Sequence, residues 1–344
     1  MTDPPPVPDL SALSALSAKL REDDEQFRRT FILGRLAGDG AAAPERDAAV
    51  DPGSLADLRA RLLALIEART GIEPGAGGAG DRVDRLLAAM PMAAVPSWLS
   101  ALEAEATDGP GWMSLVETLT VNETYFFRDP DQLAFIRGQV LDRVIAGQLR
   151  QERPRLVCWC AGCATGEEAY TLAMLIVEAL REAGEAELRG DGRILIQPRW
   201  RISVLGTDLD RSALATAQAG RYADFPMGPF RSLPEPLFGY FEPPEPGRFS
   251  GAPLRVVRPE LRALVGFQSF NLAAAEPPVR DANLVLCRNV LIYLSDRTRS
   301  HAQALFHRAL ARDGTLALGP TDVLRQPDLF QPVWGPSTVI YRKR

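Results

Sequence analysis

The stretch Arg155-Leu-Val-Cys-Trp-Cys-Ala-Gly-Cys-Ala-Thr-Gly-Glu-Glu-Ala-Tyr170 decides the fold that the rest of the chain completes. Its apolar run over residues 156–160 predicts a buried parallel strand that ends at Gly162. After Gly166, apolar residues recur at the spacing of one helix face. A strand, a glycine turn and a helix together form the unit that binds nucleotide-like ligands at the carboxyl end of a sheet. Gly162 is therefore a candidate ligand contact, because glycine lets a ligand approach the backbone.

Two acidic residues, Glu167 and Glu168, open the predicted helix. They suit the positive end of the helix dipole, but they would repel a pyrophosphate seated there. The third glycine of the dinucleotide fingerprint is also missing, which disfavours a nicotinamide oxidoreductase. The pattern favours a ligand with cationic and hydroxyl groups, and S-adenosylmethionine carries a sulfonium, an amino group and a ribose.

The length and composition are those of a globular protein. The chain has 344 residues, of which 46% are hydrophobic and 24% charged, and it can bury one large core or two modest ones. No apolar run is long enough to span a bilayer, and the N-terminal sequence lacks a signal-peptide pattern. We expect a cytoplasmic protein without direct membrane insertion.

Three of the four cysteines, Cys158, Cys160 and Cys163, cluster at the glycine turn, and Cys287 lies far along the chain. A zinc site would need further ligands, and neither a histidine nor a fourth cysteine is near in sequence. We interpret the four residues as core thiols in a reducing compartment and expect no metal site.

The net charge of −5 is unevenly distributed. Residues 1–120 hold 11 basic and 19 acidic side chains, whereas residues 121–344 hold 28 basic and 25 acidic ones. An acidic front third is a poor surface for nucleic acid or anionic membranes. We therefore expect no nucleic-acid partner.

The first 120 residues divide into an extension and a helical region. Residues 1–50 are rich in proline, glycine and alanine and predict a disordered extension. From Ser54, a candidate N-cap, apolar residues recur at helical spacing. Residues 84–90 and 97–105 predict two further short helices, the second ended by the run Gly109-Pro-Gly. Residues 51–120 thus predict a small all-α N-terminal domain.

The next segment, residues 119–130, alternates polar and aromatic side chains. Asn122, Thr124 and Arg128 are interleaved with the aromatic residues 125–127. One interpretation is an N-cap with an aromatic anchor between domains. The other is a lid that carries donors and acceptors over a ligand.

A second strand over residues 200–206 ends in Thr207-Asp208-Leu-Asp210, after a polar loop over residues 182–199. An acid at the tip of this strand can accept hydrogen bonds from both ribose hydroxyls. The competing role is that of an N-cap for the helix predicted over residues 212–219. We assign Asp208 to the ligand and Asp210 to the cap.

Further strands over residues 264–270 and 283–287 also end in polar residues, at Asn271 and at Arg288-Asn289. A helix over residues 296–312 and strands over 314–319 and 338–341 follow. In an open α/β sheet, polar residues just past the strand ends face one crevice. Those residues are Glu167, Asp208, Asn271 and Asn289.

At these positions the chain resembles the chemotaxis receptor methyltransferases (CheR), which are S-adenosylmethionine-dependent protein-glutamate O-methyltransferases. The resemblance runs from about residue 55 to residue 341. Four motifs carry it in order: Thr120-Val-Asn-Glu-Thr-Tyr-Phe-Phe-Arg-Asp129, Ala164-Thr-Gly-Glu-Glu-Ala-Tyr-Thr-Leu-Ala173, Gly206-Thr-Asp-Leu-Asp210 and Cys287-Arg-Asn-Val-Leu-Ile-Tyr293.

The resemblance implies a Rossmann-like, mostly parallel α/β methyltransferase sheet over residues 121–344, packed against the all-α domain over 51–120. It implies that S-adenosylmethionine is converted to S-adenosylhomocysteine, with Arg128 and Tyr293 nearest the methyl transfer. The cofactor contacts that it implies are Asn122, Thr124, Arg128, Glu167, Asp208, Asn271, Leu272, Arg288 and Asn289.

The acceptor that the resemblance implies is a glutamate of a chemoreceptor-like helical bundle, methylated by a monomeric enzyme. Another protein or a small carboxylic acid as acceptor, and a binding module without turnover, are the alternatives. Residues 222–264 match a small β-subdomain of the family, but they are rich in proline and leave peptide binding open. The run Gly319-Pro-Thr-Asp322 departs from the glycine–histidine–acid pattern and is assigned no role.

Overall fold

A computed structural model describes residues 54–247 and 252–344, and the predicted extension over residues 1–50 lies outside them. A π-helical turn, Arg137–Leu141, connects the helix Pro130–Ile136 to the helix Asp142–Gln148. The helices of the described part are α1 (Leu55–Thr70), α2 (Ala79–Ala88), α3 (Val95–Ala104), α4 (Pro110–Leu119), α5 (Pro130–Ile136), α6 (Asp142–Gln148), α7 (Glu167–Glu182), α8 (Arg211–Ala219), α9 (Pro259–Arg262) and α10 (Asp296–Ala309).

The strands of the same residues are β1 (Arg155–Ala161), β2 (Ala186–Leu188), β3 (Ile194–Ile196), β4 (Arg201–Asp208), β5 (Arg221–Ala223), β6 (Leu254–Val256), β7 (Val265–Ser269), β8 (Ala282–Cys287), β9 (Leu310–Leu318), β10 (Phe330–Trp334) and β11 (Val339–Lys343). Seven of them form one sheet in the order β10-β11-β9-β8-β1-β4-β7. The pairs from β9 to β7 are parallel, and β11 and β10 add antiparallel strands at one edge. The predicted Rossmann-like, mostly parallel sheet is confirmed.

Strand β1 packs a different core on each face of the sheet, because successive side chains of a strand point to opposite faces. Leu156, Cys158 and Cys160 belong to the core that contains the apolar face of α7. Val157 and Trp159 belong to the core that contains the apolar residues of α1–α4 and α10. All four cysteines are buried free thiols, as predicted.

The predicted helical region is present, and α1 begins with a full capping box between Ser54 and Asp57. Its helices share a core with the sheet, and the described residues form one compact unit. The run Gly109-Pro-Gly does not end the second short helix as predicted, because that helix, α3, already ends at Ala104. Pro110 is instead the first residue of α4, a position that suits proline. Glu105 caps α4 by accepting hydrogen bonds from the backbone N–H of Gly111 (2.9 Å) and Trp112 (2.8 Å).

Two other segments differ from the prediction. The polar loop expected over residues 182–199 contains the antiparallel hairpin of β2 and β3. Strand β10 was not predicted. It contains Pro332 and lies at the edge of the sheet, where a strand tolerates proline. Neither departure touches the strand ends at which a ligand is expected.

The region predicted as a small β-subdomain holds the two-stranded antiparallel sheet of β5 and β6. Tyr222, Phe230 and Phe241 of this region surround the ring of Phe126, with ring centroids 5.0–5.2 Å from it. The backbone N–H of Phe126 also donates to the carbonyl of Pro229 (2.9 Å). The subdomain is therefore fastened to the segment that follows α4.

Within residues 54–247 and 252–344, no single helix is long and apolar enough to cross a bilayer. One pair of helices, Ala79–Ala88 with Met92–Ala104, passes that test together on length and composition, bent by 109°.

Candidate active site

The carboxyl ends of β1, β4, β7 and β8 open into one cleft of about 1160 Å³, a volume that includes its open mouth. This is the position at which open α/β sheets bind their ligands. Ten of the residues predicted from the sequence line it: Asn122, Thr124, Arg128, Gly162, Asp208, Asn271, Leu272, Arg288, Asn289 and Tyr293.

The glycine turn after β1 needs glycine at position 162. Gly162 has a φ of +78°, and a Cβ there would collide with the side chain of Val290. Its backbone N–H donates to the carbonyl of Thr207 (2.7 Å), as does that of Cys163 (2.9 Å). The turn is thus tied to the end of β4, and its backbone forms the floor of the cleft.

Asp210 has the N-cap role that was predicted for it, and Asp208 lies at the cleft, where a ligand contact was predicted. Asp210 is the N-cap of α8 and accepts from the backbone N–H of Ala213 (2.9 Å). Asp208 lies in the cleft, where its two oxygens accept from the backbone N–H of Ala164 (2.8 Å) and of Asp210 itself (3.0 Å). Burial raises the pKa of Asp208, and those N–H donors oppose the shift.

Asp210 has a second task that the sequence did not indicate. Its Oδ2 accepts hydrogen bonds from Thr120 Oγ1 (2.8 Å) and from Asn122 Nδ2 (2.7 Å). The carboxylate therefore holds the segment between α4 and α5 over the cleft. This arrangement favours the lid interpretation of residues 119–130, and the packing of Phe126 shows that the segment is also an aromatic anchor.

The structure does not bring Glu167 to the cleft. Its side chain is 2% exposed and accepts from Thr165 Oγ1 (2.7 Å). Glu168 lies in the cleft instead, together with Thr171 one helical turn further on. Glu167 is three residues before Tyr170, on the apolar face of α7, so the helical period already pointed to its burial.

Arg288 connects three parts of the cleft wall, and its side chain is only 2% exposed. It donates to Glu168 Oε2 (3.1 Å), to Asp129 Oδ2 (2.7 Å) and to the carbonyl of Arg128 (2.6 Å). These bonds join the end of β8 to the start of α7 and to Arg128 and Asp129, the two residues before α5. Arg288 thus fixes the position of Arg128 rather than pointing a free charge into the cleft.

Arg128 and Tyr125 form the outer wall. Arg128 Nη1 donates to the carbonyl of Glu123 (2.9 Å), and its guanidinium carbon lies 5.8 Å from the Tyr125 ring centroid. A second arginine, Arg231, stacks on the same ring at 3.6 Å. Among the described residues Arg231 pairs with Glu123 (3.3 Å), whereas Arg128 forms no ion pair, although its charge opposes the rise that burial causes in the pKa of Glu168. Two guanidinium groups therefore flank one ring at the mouth.

A cover loop, residues 71–78, closes the cleft beside Tyr293. The backbone N–H of Glu73 donates to the carbonyl of Tyr293 (2.9 Å), and Ile72 forms a β-bridge with Leu294. Gly77 has a φ of +56° and lies against the Tyr293 ring.

Asn271 joins the helical region to the sheet. Its Nδ2 donates to the carbonyl of Arg69 at the end of α1 (2.6 Å), and its Oδ1 accepts from the backbone N–H of Ala273 (2.8 Å). Both ends of the amide are used within the protein, and the neighbouring Leu272 is buried at the cleft wall. Asn271 lies where it was predicted, but its side chain positions α1.

Comparison with known proteins identifies the family to which the chain belongs. The family model "CheR methyltransferase, SAM binding domain" matches residues 122–339. The chain belongs to the CheR methyltransferase family. The match covers every predicted site residue, and S-adenosylmethionine is the cofactor of this enzyme.

Relatives agree with the family assignment. The chain is 33% identical to chemotaxis protein methyltransferase 1 of Pseudomonas aeruginosa, over 67% of this chain and 77% of that protein. It is 31% identical to chemotaxis protein methyltransferase Cher2 of Pseudomonas putida, over 67% and 76%. An uncharacterized 104.1 kDa protein of Rhodobacter capsulatus is 34% identical over 67% of this chain, which spans only 22% of its length.

Two buried acceptor atoms at the cleft of this CheR methyltransferase have no hydrogen-bond partner among the described residues, and both suit S-adenosylmethionine. Glu168 Oε1 and Asn289 Oδ1 are buried at the cleft without a hydrogen-bond partner. Acceptors in that state suit a ligand that brings amino and hydroxyl donors. Glu168 would hold the amino group, and Asp208 and Asn289 would hold hydroxyl or amino donors elsewhere on the ligand. No group of described acids, histidines or cysteines could hold a metal ion.

The buried Glu167 should make stability depend on pH. Burial raises its pKa from 4.5 to about 7, so the folded state holds a proton there that the unfolded state releases. Its contribution to stability is lost as pH rises from 4.5 towards 7. At pH 8, Glu167→Gln should therefore raise the free energy of unfolding by roughly 3 kcal/mol, and the gain should shrink towards pH 4.5.

Urea denaturation at several pH values measures this effect. The control is Glu235→Gln, an exposed acid on the 3-10 turn before Tyr240. A Glu167→Gln protein that is less stable than the wild type at pH 8 would contradict the raised pKa of Glu167.

Proposed function

We propose that this enzyme transfers the methyl group of S-adenosylmethionine to glutamate side chains of a protein, namely the cytoplasmic helical bundle of a chemoreceptor. The observation that carries the proposal is the pair Arg128 and Tyr293 in one cleft, with Arg128 free of an ion pair among the described residues. A cytoplasmic location and a monomeric state belong to the same proposal. The matched relatives that are named chemotaxis methyltransferases support it.

The reaction suits these residue types. A glutamate carboxylate is already ionised at neutral pH, so the enzyme needs no general base. S-adenosylmethionine supplies a methyl group on a sulfonium. The protein has to hold the carboxylate oxygen in line with the bond that breaks, and to exclude water from both charges. Arg128 can orient the carboxylate, and the Tyr293 hydroxyl can donate to it or limit its approach.

The rim of the cleft favours a protein acceptor over a small carboxylic acid. A rim loop, residues 225–231, exposes Phe225 (47%) and Met227 (77%), and it is fixed to the cleft by Arg231 on the Tyr125 ring. Exposed apolar groups beside a binding cleft are typical of protein contact surfaces. A small acid would use only the guanidinium groups, whereas an acidic helix could also bury the two apolar side chains.

Two measurements test the proposal in order. Calorimetric titration with S-adenosylhomocysteine should give micromolar binding, with none for NAD. Purified wild-type enzyme should then transfer labelled methyl groups to a chemoreceptor cytoplasmic helical bundle, in a form that base releases as methanol, as expected of an ester. Label that resists base would contradict a glutamate ester.

The alternatives predict different results. If a small carboxylic acid is the acceptor, the bundle stays unlabelled and free dicarboxylic acids gain the label. If the protein is a binding module, S-adenosylhomocysteine binds but no acceptor is labelled. Glu168→Gln serves as a site control, because it should weaken S-adenosylhomocysteine binding by about tenfold through the loss of a charged hydrogen bond.

A further inference from the structure

The run Gly319-Pro-Thr-Asp322 follows β9, the strand beside β8 in the sheet. Asp322 is 9% exposed and lies against the turn that connects Asn289 to Tyr293. Asp322 Oδ2 accepts from the backbone N–H of Asn289 (2.6 Å) and of Gly319 (3.0 Å). Its Oδ1 accepts from the backbone N–H of Ile292 (3.2 Å). One carboxylate therefore binds three backbone donors.

Two of those donors, the N–H groups of Asn289 and Ile292, belong to the turn that places Asn289 and Tyr293 in the cleft. Asn289 has a φ of +60°, in the left-handed region that asparagine adopts more readily than most residues with a side chain, and its Oδ1 is the buried acceptor at the cleft. Ile292 precedes Tyr293 in a single 3-10 turn. A carboxylate that holds both N–H groups fixes the backbone from which Asn289 and Tyr293 point.

Asp322 is itself held from behind. The amide of Gln303 on α10, a fully buried residue, donates to the carbonyl of Val323 (2.8 Å) and accepts from the backbone N–H of Arg325 (2.6 Å). On the other side, a Cβ at Gly319 would lie 2.6 Å from the backbone nitrogen of Asn289, so only glycine permits the close approach. The backbone on both sides of Asp322 is therefore held by contacts within the protein.

We propose that Asp322 is a positioning residue, which sets the conformation of the Asn289–Tyr293 turn and through it the geometry of cofactor binding and methyl transfer. The inference rests on the proposed function of the cleft. The carboxylate touches neither the cofactor nor the acceptor in this scheme. It acts by holding the backbone of Asn289 and Ile292 in place, and a displacement of about 1 Å at a reacting group costs about 100-fold in rate.

The test compares Asp322→Asn, Asp322→Glu and Asp322→Ala with Asp328→Asn, an exposed acid six residues further on. An asparagine turns an NH2 group towards backbone N–H donors, whereas a glutamate keeps an acceptor for them. We expect kcat to fall by about 10–100-fold in Asp322→Ala and Asp322→Asn. Asp322→Glu should regain part of the rate, and Asp328→Asn should match the wild type.

Two readouts do not need an acceptor. Hydrogen exchange of the Asn289 and Ile292 amides should quicken in Asp322→Asn, and the affinity for S-adenosylhomocysteine should fall. These readouts decide the inference even if the wild type labels no receptor bundle, a result that would overturn only the proposed function. Asp322→Asn and Asp322→Ala proteins with unchanged amide exchange and unchanged affinity would overturn the role of Asp322. If Asp322→Ala does not fold, Asp322→Asn and Asp322→Glu decide the question.

Discussion

Arg128→Ala is expected to lower kcat by about 100-fold or more, because removing one donor aimed at a reacting oxygen costs about that much. The affinity for S-adenosylhomocysteine should change by less than about threefold. The physical reason is the state of the Arg128 guanidinium, which donates to the carbonyl of Glu123 and forms no ion pair among the described residues. Its remaining N–H groups can therefore orient the acceptor. An arginine held by a strong ion pair would bind the ground state and the transition state equally.

Arg128→Lys and Arg189→Ala complete this experiment. Lysine keeps the charge but lacks the planar donor set of arginine, so it should recover little of the rate. Arg189 lies beyond the end of β2, on a hairpin remote in sequence from the cleft motifs, and its loss should change neither constant. Equal losses of kcat and of cofactor affinity in Arg128→Ala would show that Arg128 is a cofactor ligand only.

The sequence predicted the sheet and the strand ends well, because both depend on local patterns. Apolar runs marked β1, β4, β7 and β8 to within a residue or two. The residues after those strands share one cleft because parallel strands present their carboxyl ends at the same edge. The division of labour between Asp208 and Asp210 was also local, since an N-cap must directly precede its helix.

The exchange of Glu167 and Glu168 shows the limit of a local pattern. Neighbouring residues on a helix differ in direction by about 100°, so the phase of the first turn decides which carboxylate meets the ligand. That phase is set by Gly166, whose φ is +94°. The apolar face of α7 was predicted correctly, and extending it back by one turn would have placed Glu167 in the core.

The remaining features depend on contacts between distant parts of the chain. Arg231 reaches the Tyr125 ring across more than a hundred residues, and Asp322 reaches Asn289 from the neighbouring strand. The cover loop meets Tyr293 through the bond from Glu73 to the Tyr293 carbonyl, and Asn271 ties the preceding end of α1 to the sheet. Neither spacing nor composition carries such information, so these residues could not be assigned from the sequence.

Gly77→Ala should displace Tyr293 and lower kcat by about 100-fold, the cost of misplacing a reacting group by about 1 Å. A Cβ on Gly77 would lie 2.5 Å from Cε1 of Tyr293 and closer still to Cδ1. The ring cannot remain where it is, and the backbone of the loop is fixed by the bond from Glu73 to the Tyr293 carbonyl. Steady-state methyl transfer and S-adenosylhomocysteine titration measure the two effects.

Gly78→Ala separates this steric effect from backbone strain. Gly78 also has a positive φ, +73°, but a Cβ there would meet only side-chain atoms of Arg82 and Asp81, at 3.8 and 3.9 Å. Both substitutions share the conformational cost of alanine at a positive φ, about 1 kcal/mol, so a difference in kcat between them reports the collision with Tyr293. At Gly75, where a Cβ would meet nothing within 4 Å, alanine should be silent in kcat.

A double-mutant cycle with Tyr293→Ala then decides the cause. If Gly77→Ala acts through the ring, it should add almost nothing to the loss that Tyr293→Ala already causes, because the two changes remove the same interaction. Additive losses would mean that the cover loop contributes to the rate by another route, such as excluding water from the cleft. Tyr293 would then still lie near the methyl transfer, but Gly77→Ala would act by changing the cover loop and not by displacing the Tyr293 ring.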